Sequence, residues 1–295
     1  MAKEKELEGL EEKEEIRTPF KEFLMKFKRQ KTAIAALAFL LLLVVFSIIG
    51  EKIVPYGVDE YNYSSILQGP SQNHLFGTDE FGRDIFSRVI LGARISLAVG
   101  LSSVTVGAVV GTVLGLISGY YGGFIDSVIM RICDTLFAFP GTILAIGIMA
   151  ILGPGIFNVV IAVAVFSAPS FARIVRGSTL AQKESVYVQA AKSLGAGDAR
   201  ILFKHILPGA LSEIIVYYTM NIGSSILTAS SLSFLGMGAQ APSPEWGLQL
   251  STGRAYVGLN WHMTFFPGLA IFLTVLSFNL LGDGLRDALD PKLTQ

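Results

Sequence analysis

The sequence predicts an all-α integral membrane protein with six transmembrane helices, and three observations carry that prediction. Of the 295 residues, 52% are hydrophobic and only 16% charged, against about a quarter charged in an ordinary globular domain; mean hydropathy is +0.57. The charges are also gathered at one end, 17 of the 46 lying in the first 31 positions. Beyond them, uncharged runs of spanning length recur, about 20 apolar residues being needed to cross the hydrocarbon core. The 23 basic and 23 acidic residues cancel, so net charge gives no support for binding nucleic acid or a strongly acidic partner.

Taken in order, residues 1–31 read as a tail that ends in an interfacial elbow helix. Thr18-Pro19 resembles a cap followed by proline in the first helical turn. Phe20, Phe23, Leu24 and Phe27 then share one face, opposite Lys21, Lys28 and Arg29, the pattern of a helix lying in the membrane surface. Residues 1–17 read as a solvated charged tail. The first span, 32–50, holds twelve strongly apolar side chains, worth roughly −4 to −7 kcal/mol on the insertion scale. Its leader is too long and too acidic for a signal peptide, so the helix is expected to be retained. Residues 51–94 form a loop, 95–285 a five-helix core, and 286–295 a tail. Within the core the spans are Ile95 to Ile125, Thr135 to Ala172 cut into two helices by Gly153-Pro154-Gly155, Ile214 to Pro244, and Ala255 to Gly282.

Orientation follows from lysine and arginine. With six spans both termini share a side, and that side, with the 120–134 and 173–212 connections, receives 18 basic residues. Only Lys52, Arg83, Arg88, Arg94 and Arg254 fall on the other. The termini and the 173–212 loop are therefore expected in the cytoplasm and the 51–94 loop outside.

Gly107, Gly111, Gly115 and Gly119 recur every four residues and leave a flat stripe for close backbone approach, by a helix of the same chain or by another subunit. Pro140, after Phe139, is expected to kink the third span. Arg131 and Asp134 stand one turn apart and are expected to pair. Cys133 has no partner for an internal disulfide, and His74, His205 and His262 lack metal-ligand spacing, so packing roles are expected for each. The outer loop carries six carboxylates, Glu51, Asp59, Glu60, Asp79, Glu80 and Asp84, without the alternation of a calcium loop. Pairing of Asp79 or Asp84 with Arg83 or Arg88 is the expectation, with structural ordering first and docking second.

Several chemistries find no support. The chain has no G-x-x-x-x-G-K-[ST] phosphate loop. A mid-span histidine beside a serine, as an intramembrane protease needs, is missing, and an ion-coupled secondary carrier ordinarily needs ionisable residues in mid-span. A transport pathway powered by another polypeptide fits better. The 173–212 loop supports this reading. Arg173 to Gln182 continue the fourth span, and Val186 to Leu194 form a short helix with small residues Ala190 and Ala191. Gly195 is a natural helix stop, a second helix runs from Asp198 to about Ile206, and Pro208 is placed to begin the fifth span. Two short helices around a glycine make a docking shape.

These residues resemble a known family. Tyr187-Val188-Gln189-Ala190-Ala191-Lys192-Ser193-Leu194-Gly195, then His205-Ile206-Leu207-Pro208, is similar to the E-A-A-x(3)-G-x(9)-I-x-L-P loop of binding-protein-dependent ABC importer permeases. His74-Leu75-Phe76-Gly77-Thr78-Asp79-Glu80-Phe81-Gly82-Arg83-Asp84 resembles the element ahead of the second span in the dipeptide/oligopeptide/nickel subfamily. Gly77, Thr78, Asp79, Gly82, Arg83 and Asp84 carry that match, which points to the second, C-type permease. Leu232-Ser233-Phe234-Leu235-Gly236, continued by Pro242-Ser243-Pro244-Glu245-Trp246-Gly247, and Asn279-Leu280-Leu281-Gly282-Asp283-Gly284-Leu285-Arg286-Asp287 add two more. Gln189 stands where the family has glutamate, so a charge pair there is not implied.

The resemblance implies a type I ABC importer permease fold that works by alternating access beside a homologous permease. Two ATP-binding ABC subunits would sit below and an extracytoplasmic solute-binding protein above, in a prokaryotic inner membrane. ATP and magnesium would belong to the ATPases, and no cofactor or metal to this chain. Gln189, Ala190, Ala191, Gly195, Ile206, Leu207 and Pro208 would form the ATPase-coupling loop. Di- and oligopeptides are the expected cargo, with nickel or oligosaccharides as alternatives within the same class.

Overall fold

The computed structural model describes residues 19–289. Ten helices order these residues: α1 (Pro19–Arg29), α2 (Lys31–Ile49), α3 (Ile85–Tyr121), α4 (Gly123–Phe137), α5 (Gly141–Leu152), α6 (Ile156–Lys183), α7 (Val186–Ser193), α8 (Asp198–Phe234), α9 (Trp246–Gly253) and α10 (His262–Leu289). Five of them, α2, α3, α6, α8 and α10, are long and apolar enough to cross a membrane; α4 and α5, bent by 94° at the break between them, form a broken span or a re-entrant loop. The charged N-terminal tail, Thr18 and Asp290-Pro291 lie outside the described residues.

The axis of the bundle is the pair α3 and α6. A β-carbon built on Gly111 would lie 2.6 Å from Phe171 Cβ, one on Gly115 2.8 Å from Val175 Cβ, and one on Gly119 2.7 Å from Thr179 Cβ. The glycine stripe thus lets two backbones of the same chain meet. Around this pair the apolar core stacks in three levels. Val99, Met149, Val159 and Leu232 join α3, α5, α6 and α8; Val104, Phe171, Ile222 and Ile226 fill the middle; Leu116, Val175, Val188, Ile201 and Ile206 bind α7 and the start of α8 to the ends of α3 and α6. Helix α2 is peripheral. Ala33 packs beside Gly284 of α10, while Leu41, Val45 and Ile48 stay exposed, a face suited to lipid rather than water.

Several expected details are corrected. Pro140 does more than kink a continuous helix. Its ring excludes the carbonyl four residues back and disfavours helical geometry at Phe139, so α4 stops at Phe137 and α5 begins at Gly141. With 12 residues, α5 is about 18 Å long and falls short of a hydrocarbon core of about 30 Å. Asp134 pairs not with Arg131 but with Arg173 of α6, 2.8 Å away, because α6 runs directly beside that face. The fifth crossing ends at Phe234 rather than at Pro244, and the second begins at Ile85 rather than at Ile95. The last helix starts at His262 and reaches Leu289. Finally, Pro208 stands in the first turn of the stretch Leu207–Phe234, as expected, but no break precedes it. Helix α8 runs through it by way of a π-turn, Ile201–Ile206, in which the Leu207 amide donates to the Leu202 carbonyl five residues back. Proline lacks an amide and crowds the carbonyl of Lys204, so the ladder shifts by one residue.

Candidate functional site

Two structured loops mark opposite ends of α3, whose 37 residues extend about 55 Å. Beyond its C-terminal end lies the 173–212 loop. Helix α6 ends at Lys183, and only Glu184 and Ser185 separate it from α7. Ser185 Oγ donates to the Gln182 carbonyl at 2.6 Å and Gln189 Nε2 to the Glu184 carbonyl at 3.2 Å, so the corner is tight. Helix α7 closes in a Schellman motif: the Gly195 amide donates to Lys192 O and the Ala196 amide to Ala191 O, each at 3.0 Å. Gly195 takes φ +84° with open space around it, a left-handed conformation that costs any other residue.

One side of α7 is anchored and the other is open. Val188 is 2% exposed within the inner core level, whereas Val186 is 83% and Leu194 88% exposed. Gln189 and Ala190 are exposed as well, and Ala191 is half-buried. Ile206 is buried, and Tyr120 and Tyr121 at the end of α3 donate to the two Asp198 carboxylate oxygens at 2.8 and 3.1 Å. The loop residues therefore divide. Gln189, Ala190 and Ala191 lie on α7, Gly195 sets its end, buried Ile206 and half-buried Leu207 tie the following helix into the bundle, and Pro208 is exposed. A small-residue, apolar surface held on a rigid corner can receive another protein closely.

At the other end, the loop ahead of α3 is a knot of buried polar groups. Asp84 caps α3, accepting from the Ser87 amide at 2.8 Å and hydroxyl at 2.7 Å, and its other oxygen meets His74 Nδ1 at 3.0 Å. Asp79 accepts from the Phe81 and Arg83 amides at 2.9 and 3.0 Å, and from Arg83 Nε at 2.7 Å. Arg88 reaches Val58 O at 2.8 Å and Pro242 O and Ser243 O at 3.1 Å. The Thr78 hydroxyl donates to Ser65 O and accepts from the Gln68 amide. Gly77 and Gly82 have φ +79° and +73°, and a side chain on Gly82 would strike the Asn62 carbonyl. The expected Asp79 pairing with Arg83 is present, and Arg88 Nε stands 3.8 Å from the same carboxylate. Asp84 instead takes the cap and His74, because the chain turns into α3 at that residue.

Glu80 is the unsatisfied member of the knot, although its Oε1 stands 3.6 Å from Arg83 Nη2. Its Oε2 is buried without a hydrogen-bond partner among the described residues, and burial pushes its carboxyl above the ordinary range. No group of His, Cys, Asp or Glu among the described residues is placed to hold a metal ion.

Sequence reasoning missed a deeply buried carboxylate. Glu245, 3% exposed, caps α9 through the Gly247 and Leu248 amides at 2.9 and 2.8 Å and accepts from Ser96 and Ser230, both 3.3 Å away. Beside it Trp246, fully buried, donates to the Val89 carbonyl at 2.8 Å, and Gln249 donates to Arg88 O at 3.1 Å. The segment from Pro244 to Gln249 is a plug against α3. A carboxylate directly ahead of Trp-Gly is a readable capping signal; its partner Ser96, 149 positions away, left none.

Comparison with known proteins places this architecture. The profile of the family described as "Binding-protein-dependent transport system inner membrane component" matches residues 111–295, and that of the "N-terminal TM domain of oligopeptide transport permease C" matches residues 18–70. The chain is 58% identical over 281 residues, 95% of its own length and 93% of the relative's, to the glutathione transport system permease protein GsiD of Salmonella typhimurium. Its fold is similar to that of an amino acid ABC transporter with histidines, with a TM-score of 0.52 and 18% identity over 68% of this chain and 94% of that one. It is also similar to the MetNI methionine ABC transporter in an inward-facing conformation, with a TM-score of 0.55 and 21% identity over 69% of this chain and 97% of the other. Helices of spanning length, the Gly195 loop and these matches agree: the chain belongs to the binding-protein-dependent transport system inner membrane components, as a multi-pass permease subunit of an ABC importer.

Proposed function

We propose that this permease carries small peptides of the glutathione class across the inner membrane. The observation that carries this reading is 58% identity, along nearly the whole chain, to a glutathione transport system permease. The match of residues 18–70 to an oligopeptide permease domain supports the same cargo class. In this reading two ATPases bind below, a homologous permease completes the pathway, and a solute-binding protein delivers the peptide from outside. The excess of basic residues on the side of the termini and the 173–212 loop supports a cytoplasmic location for both. Helix α7, with Gln189, Ala190 and Ala191 on it and Gly195 closing it, would seat on one ATPase. Closure of the ATPases would then push α7, and the bundle would change between two packings that open the pathway alternately.

The complete importer, reconstituted in vesicles with its binding protein, tests the cargo. ATP-dependent uptake of labelled glutathione, competed by short peptides and not by nickel or oligosaccharides, is the expected result. Uptake of a sugar or of nickel with no competition by peptides would overturn it.

A further inference from the structure

Helix α4 is held to the rest of the chain in an unusual way. Cys133 is its one buried residue among the described positions, and Phe124, Ile132 and Phe137 are exposed. Two ion pairs to α6 take the place of apolar burial. Asp126 accepts from Arg176 Nε at 2.5 Å and Nη2 at 2.6 Å, a two-point fork, and the Ser118 hydroxyl of α3 also donates to it. Asp134 accepts from Arg173 Nη2 at 2.8 Å, and the Arg173 guanidinium stands 4.5 Å from the Phe137 ring.

Spacing shows how much of α4 the pairs hold. Asp126 and Asp134 are eight residues apart and rise about 12 Å along α4, whereas Arg173 and Arg176 are three apart and rise about 4.5 Å along α6. Long arginine side chains span that difference, so about one turn of α6 holds about two turns of α4. Above it the chain bends by 94° into α5, whose first residue, Gly141, is packed against the Phe166 ring of α6. Below, α6 passes through the tight Glu184-Ser185 corner into α7. A displacement of α7 thus has a route along α6 to Arg173 and Arg176, and from these to α4.

We infer that the Asp126–Arg176 and Asp134–Arg173 pairs are positioning contacts for transport, which make α4 follow α6 when α7 is displaced. The inference rests on the reading of α7 as the ATPase contact. Neutralising an aspartate would leave α7 engaged while α4 no longer follows.

The test uses the complete importer in vesicles, with a photo-cross-linker at Ala190 to report ATPase contact separately. For Asp126→Asn and Asp134→Asn the expected result is normal assembly and cross-linking, ATP hydrolysis still stimulated by loaded binding protein, and solute moved per ATP lowered about tenfold. Exchanging the partners, Asp126→Arg with Arg176→Asp, is expected to recover most of that ratio. Unchanged transport per ATP in both neutral variants would overturn the inference, as would an exchanged pair that assembles without recovery. Loss of assembly in the neutral variants would overturn it too, because the pairs would then hold the fold rather than pass motion. Absence of the Ala190 cross-link in the unaltered importer would instead remove the α7 reading on which the inference stands.

Discussion

At Gly195 backbone conformation, not space, requires glycine: φ is +84° and a side chain would meet nothing within 4 Å. Gly195→Ala is therefore expected to cost the end of α7 about 1–2 kcal/mol for left-handed geometry, and a β-branched Gly195→Val more. Such a variant should insert and assemble normally yet lose transport. Uptake at the unaltered rate would refute the coupling role. Glu80 gives a second expectation, of opposite sign to most carboxylates. Burial raises its pKa in the folded chain, so its contribution is fully present below the unfolded value near 4.5 and is lost as pH rises through the folded one. Glu80→Gln should accordingly raise thermal stability at neutral pH and flatten its dependence on pH in that range. A lowered melting temperature at pH 7 would show that the carboxylate is needed as a charge.

Among the elements, the α3–α6 contact is the one most dependent on missing side chains. Gly111→Ala would force the helices apart against the Ala168 carbonyl and Phe171, and overpacking of this kind costs about 1–3 kcal/mol. Gly147→Ala on α5 meets open space and should be neutral or gain about 0.5–1 kcal/mol from helix propensity. Melting temperatures of the two variants in the same detergent check the contrast, and equal shifts would contradict the packing. The glycine stripe was legible in sequence because its spacing of four is itself a packing instruction, as were the Gly153-Pro154-Gly155 turn and the end of α7 at Gly195. The break at Pro140 and the π-turn ahead of Pro208 were not. Proline states only that the ladder is interrupted, and whether the chain answers with a 94° break or a π-turn depends on neighbours distant in sequence. Charge partners divide in the same manner. Asp79 and Arg83 are four residues apart and pair as expected, whereas Arg173 lies 39 positions from Asp134 and Arg176 lies 50 from Asp126, so neither partner was readable.

For the whole molecule, α3 joins two ends of different character. The knot of Asp79, Arg83, Asp84 and Arg88 is buried and closed, while α7 at the other end turns an apolar surface outward. No phosphate loop accompanies that surface, and the family to which the chain belongs depends on a binding protein. In our account the polypeptide is a gate moved by an ATPase that docks on α7. Uptake into vesicles containing this chain and its partner permease, measured with and without the ATPase subunits, tests this most directly. The account predicts accumulation of solute only when ATPases, ATP and loaded binding protein are all present. Accumulation driven by an ion gradient in vesicles without the ATPases would contradict it.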